Sequence, residues 1–64
     1  SRFNKIELKW NPVVNAIGYC ILKGDSDKAL LPIGYTKENF YFLFEKEQGK
    51  NLFFKICPLY PKVV

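Results

Sequence analysis

Catalysis needs side chains that exchange protons, attack carbon or hold metals, and this sequence has few of them. It contains no histidine, which removes Ser–His–Asp triads, Cys–His pairs and histidine metal sites. The carboxylates are Glu7, Asp25, Asp27, Glu38, Glu45 and Glu47. Acid–base work asks two of them to converge in a cleft that sets their proton affinities apart. Their places in turns or at outward strand positions argue against convergence. Asp25-Ser26-Asp27 starts like a calcium loop but lacks the following Asp/Asn-Gly and the distal Glu. A turn is the reading it supports. The sequence therefore offers no catalytic residue, metal set or cofactor site, and the expectation is a non-enzyme.

The remaining chemistry-bearing residues are cysteines, aromatics and lysines. Cys20 and Cys57 fall in different expected strands rather than in a Cys-x-x-Cys, which excludes zinc and thioredoxin-type readings. Trp10, Tyr19 and Phe54 could stack on a sugar or a base, but alternation places them inward, as core. Leu22 and Phe53 fall on outward positions and are the candidates for partner contact, since aromatics are enriched at interface hot spots. The net charge of +4 would suit an acidic partner. The lysines are scattered among apolar residues, however, which is the pattern of a solvated sheet face.

These residues must be positioned by strands. Ile6, Leu8 and Trp10 alternate with Lys5, Glu7 and Lys9, a period of two that predicts a half-buried strand. Asn11-Pro12 stops it. A central strand is expected over 16–23, with Ile17, Tyr19 and Ile21 on one side. Gly24-Asp25-Ser26-Asp27 is turn chemistry. An extended segment over 29–36 carries Pro32, which argues for a sheet edge. Phe40-Tyr41-Phe42-Leu43-Phe44 is the most apolar run, and its aromatic content favours strand over helix. One of its faces is expected in the core and the other against a neighbouring domain. Residues 45–50 form a charged turn ending in Gly49-Lys50. The last strand is expected over 51–57, with Leu52, Phe54 and Ile56 inward, Phe53, Lys55 and Cys57 outward, and Pro58 as its stop. A chain of 64 residues holds one domain at most, here 1–64. Such a domain is marginal alone, since it buries only ~60% of its unfolded surface. No apolar run approaches the ~18–20 residues of a membrane span, and no signal peptide is evident. The chain opens on Ser1-Arg2-Phe3 without an initiator Met, which reads as a piece of something longer.

Leu8-x-Trp10-Asn11-Pro12, Ala16-x-Gly18-Tyr19-x-Ile21, and Gly49 with Leu52-x-Phe54-x-Ile56 together resemble a fibronectin type III domain. That family's pattern runs L-x-W, A-x-x-Y-x-V and G-x-x-Y-x-F-x-V. The resemblance covers about residues 5–60. It implies an all-β, immunoglobulin-like sandwich with strand B at 5–10, C at 16–23, C′ at 29–36, E at 39–45 and F at 51–57. Strands A and G are not evident, so the sandwich is truncated. The family's corner tyrosine is Leu52 here, and the small residue after the last inward Val is Pro58. Residues 10–21 also look like short modules attached to bacterial polysaccharide-degrading proteins of the pectate-lyase type.

The resemblance implies an accessory, spacer or docking module of a larger secreted or surface bacterial protein acting on polysaccharide. Its place would be extracellular, at the cell surface, or in the periplasm. The alternative is a small basic β-barrel binding single-stranded nucleic acid through aromatics and lysines. Inward aromatics and the missing RRM signature count against it, so nucleic acid is the disfavoured partner. Polysaccharide contact would call for an exposed aromatic row, which Phe53 alone does not make. In the resembled fold strands C and F are antiparallel neighbours. Pairing Ile21 with Ile56 would then set Cys20 opposite Cys57. A disulfide and two exposed thiols are both open readings at this point. With A and G missing, strands B and F each present an open side. The F edge is expected to pair with another domain of the parent protein or with a second copy of the chain.

Overall fold

The computed structural model describes residues 3–46 and 51–62. Residues 47–50 of the expected charged turn, Glu47 and Gly49 among them, lie outside the described residues. Among the described residues five strands follow one another without a helix: β1 (Phe3–Lys9), β2 (Gly18–Gly24), β3 (Leu31–Thr36), β4 (Phe40–Lys46) and β5 (Phe53–Leu59). They form two antiparallel sheets, one of β1 with β4 and one in the order β3-β2-β5. The fold is all-β. In the first sheet Ile6 lies opposite Leu43 and Leu8 opposite Tyr41. In the second, Ile21 lies opposite Ile56 and Cys20 opposite Cys57.

The core sits where the central strand has neighbours on both sides. Tyr19 and Ile21 of β2 are buried, while Ile6, Leu8, Trp10, Leu52, Phe54 and Ile56 are half-buried around them. Three contacts tie the sheets together. The Trp10 ring meets Tyr19 edge-on, with centroids 5.2 Å apart, the arrangement that ring quadrupoles favour. The Tyr41 ring of β4 reaches across to Gly34 of β3, and a Cβ there would collide with its hydroxyl end. Lys23 of β2 and Glu45 of β4 form an ion pair between the sheets. Glu45 therefore corrects the expectation that every carboxylate lies in a turn or points outward. Its alternation with Tyr41 and Leu43 puts it on the inward side, where Lys23 neutralises it.

The β1–β2 connection is held by backbone and side-chain hydrogen bonds. The Trp10 N–H donates to the Asn39 carbonyl at 3.0 Å, and Asn39 Nδ2 donates to the Trp10 carbonyl at 2.9 Å. The Val13 N–H donates to the Tyr19 hydroxyl at 2.8 Å. A tyrosine hydroxyl thus holds a loop to the core. Asn15 has φ of 70°, a left-handed conformation that asparagine tolerates better than most residues. It closes a turn in which Ala16 donates to the Val13 carbonyl at 3.1 Å.

That turn corrects the central strand. Ala16 and Ile17 precede β2 rather than opening it, and Ile17 is 54% exposed instead of sharing the inward side of Tyr19 and Ile21. Ala29 and Leu30 likewise precede β3, because the Ala29 N–H donates to Ser26 in a turn. Trp10 follows β1, which reaches back to Phe3. Asn39 falls just before β4, which runs on to Lys46. Pro58 does not stop β5: the strand starts at Phe53 and continues to Leu59, with Pro58 opposite Tyr19. Among the described residues β5 pairs only with β2, and an edge strand tolerates a missing N–H. β3, the other edge of that sheet, takes Pro32 opposite Leu22. A bulge there leaves Ile33 as the extra residue between Gly34, opposite Ile21, and Pro32.

Candidate contact surface

Alternation fixes what β4 shows to solvent. Tyr41, Leu43 and Glu45 face the other sheet, so Phe40, Phe42 and Phe44 stand on the outside. Residues two apart on one strand are ~6.8 Å apart, so the three rings make a straight row. Phe42 is 49% exposed and Phe44 60%. The register sets the row against the outward side of β1, with Lys9 opposite Phe40, Glu7 opposite Phe42 and Lys5 opposite Phe44. Phe3, 63% exposed, extends the apolar strip beside Lys46. Lys5 Nζ lies 4.6 Å from the Phe42 ring centroid, within the reach of a cation–π contact. The face is thus a phenylalanine row bordered by Lys5, Lys9 and Lys46, with Glu7 as its acid.

Leu22 and Phe53 come together on the outer face of the other sheet. Leu22 lies opposite Lys55 and Gly24 opposite Phe53, which makes Leu22 and Phe53 diagonal neighbours. Phe53 is exposed, while Leu22 is half-buried. Cys20 and Cys57 lie further along this face, directly opposite one another. Both are half-buried free thiols. Tyr35 flanks Cys20 from β3, and its ring covers Gly18.

The acids stay apart. Glu7 is on the outer face of β1, Glu45 is paired with Lys23, and Glu38 sits in a turn where its N–H donates to Thr36 Oγ1 at 3.1 Å. Asp25 and Asp27 flank a turn organised by Ser26, whose Oγ accepts from the Lys28 N–H at 3.4 Å. Among the described residues no three metal-ligating side chains cluster and no pocket opens. Among the described residues the buried indole N–H of Trp10 has no hydrogen-bond partner.

The sequence leads one to expect an apolar face of the run 40–44 outside the core, but it does not say that Phe40, Phe42 and Phe44 make up that face. Both alternating sets of the run 40–44 are apolar, so alternation by itself does not say which set is inside. The signal lay in β1, whose outward Lys5, Glu7 and Lys9 mark the solvent side once β1 and β4 are known to pair. No family model, curated protein or solved structure matches the chain.

Proposed function

We propose that this chain is a non-catalytic β-sandwich module of the fibronectin type III kind. It serves by surface contact, as an accessory or docking part of a larger secreted or surface bacterial protein that acts on polysaccharide. The observation that carries this reading is the exposed row of Phe40, Phe42 and Phe44 on a wall without a cleft. Such a row can stack on the flat faces of successive sugar rings but cannot enclose a reacting bond. Two further observations support it. The sheets divide as β1-β4 and β3-β2-β5, the grouping of strands B with E and of C′, C and F in immunoglobulin-type sandwiches. The chain also exposes 5228 Å² at a mass of 7.5 kDa, against about 4,200 Å² for a self-sufficient folded monomer of that size. The excess, about 1,000 Å², is somewhat more than the ~800 Å² that one side of a standard interface covers. Among the described residues β1 and β5 each have one unpaired edge, where strands A and G lie in the resembled fold. The β5 edge therefore suits an added strand from another domain of the parent protein or from a second copy, with Phe53 at the contact.

A second reading is favoured by the lysine border. Lys5, Lys9 and Lys46 beside a phenylalanine row could hold the phosphates of single-stranded nucleic acid while the rings stack on bases. Affinity electrophoresis of the purified chain separates the two. The first reading expects retardation by soluble neutral or acidic glycans that is lost in a Phe42→Ala/Phe44→Ala variant. Retardation by oligonucleotides alone, falling steeply with salt, supports the second and overturns the first. Lyase or hydrolase activity from the purified chain overturns both.

A further inference from the structure

We propose that Cys20 and Cys57 form a redox modification site, a thiol pair that closes into a cross-strand disulfide by exchange with a small-molecule or protein disulfide. The inference rests on register and is independent of what the phenylalanine face binds. Cys20 and Cys57 are direct partners in an antiparallel ladder, so their side chains leave the sheet on the same side. Opposed residues in such a ladder have Cα atoms ~4.5 or ~5.5 Å apart, depending on the hydrogen-bonding class of the pair. Either value lies inside the ~4.4–6.8 Å range of disulfides. The bond needs no change of strand position.

Place in the sheet also sets the order of events. Cys57 is on the edge strand β5, with a neighbouring strand only on the Cys20 side among the described residues. Cys20 is on the central strand, between Cys57 and Tyr35. The Cys57 thiolate therefore attacks the incoming disulfide first. One sulfur of the donor becomes bonded to Cys57 and the other leaves as a thiol. The Cys20 thiolate then attacks Cys57 Sγ and displaces the second donor thiol. Two protein thiols are oxidised, one donor disulfide is reduced to two thiols, and the two protons pass from the cysteines to the released thiols. The product ties edge strand β5 to β2 across the part of the fold that holds Tyr19 and Ile21. A domain with so small a core gains most from such a staple.

The test equilibrates the folded chain in oxidised and reduced glutathione, with intact-mass measurement, alkylation and thermal unfolding. The expected product is a monomer lacking two hydrogens, resistant to alkylation, with a Tm higher by more than about 10 °C. Cys20→Ser should accumulate the Cys57 mixed disulfide several-fold faster than Cys57→Ser accumulates the Cys20 one. Both variants should match the reduced parent in Tm, which separates redox chemistry from packing. Free thiols in excess oxidised glutathione, stable double glutathionylation, intermolecular dimers, or closure only in denaturant would each overturn the proposal. Equal trapping rates in the two variants would overturn the assigned order.

Discussion

β4 and β2 invite comparison because their composition and their burial run in opposite directions. β4 reads Phe-Tyr-Phe-Leu-Phe-Glu-Lys, β2 Gly-Tyr-Cys-Ile-Leu-Lys-Gly. β4 is the richer in aromatics, yet no residue of it is buried, while β2 buries Gly18, Tyr19 and Ile21. The difference is one of neighbours. β2 has a strand on each edge, so its inward residues are covered from three sides. Among the described residues β4 has a single partner strand, and its outer Phe42 and Phe44 stay exposed. The hydrophobicity of a segment tells how much cover it would benefit from, and topology tells whether the chain itself supplies that cover.

The largest effect should come from deleting apolar volume in β2 and the smallest from doing so in β4. Ile21 is wholly inaccessible, so Ile21→Ala should cost about 2–5 kcal/mol and leave the chain largely unfolded in a denaturant titration. Phe44→Ala removes a bigger side chain and should change stability by no more than ~0.5 kcal/mol. Similar losses for the two variants would break the comparison and show β4 to be covered in solution. Next in size is the seam between the sheets. Gly34→Val puts side-chain volume where the Tyr41 ring lies, and overpacking of this kind costs about 1–3 kcal/mol. The same change in a Tyr41→Leu background should cost clearly less, and strict additivity would mean that the two residues do not touch.

Glu45→Gln leaves Lys23 half-buried without its ion partner. The expected loss is about 1–2 kcal/mol, between the values of surface and buried pairs. Lys23→Met/Glu45→Met should recover much of it in the same unfolding assay. The finest distinction lies within the row itself. Phe42 carries the Lys5 ammonium, so Phe42→Ala should cost about 0.5–1 kcal/mol, more than Phe44→Ala. Lys5→Met should abolish that margin. If the two phenylalanines respond alike, the cation–π contact contributes nothing measurable.

Much of the architecture was legible because the strands carry period-two patterns. The alternation of Ile6, Leu8 and Trp10, and of Phe54 and Ile56, gave strand identity and the inward set. Alternation put Cys20 and Cys57 outward, and their facing was implied by the resemblance, which sets their strands side by side. Strand ends were less legible. Pro58 is a stop only where both edges of a strand are paired, and Ile17 is a strand residue only if Asn15 does not turn the chain beforehand. Glu45 reads as the start of a charged turn, and its inward place in β4 depends on Lys23, distant in sequence. The exposed row was hidden for a related reason: Phe40, Phe42 and Phe44 look as much like core as Tyr41 and Leu43.

The sequence by itself determined that the chain is all-β, that it lacks histidine-based chemistry, and which residues of most strands share a face. These are local properties, set by side-chain type and the two-residue repeat of an extended backbone. The tertiary structure alone decided which face of β4 is solvated, that Glu45 meets Lys23, and that Tyr41 rests on Gly34. Each depends on which strand lies beside or across from which, and pairing between segments distant along the chain leaves no mark within either segment.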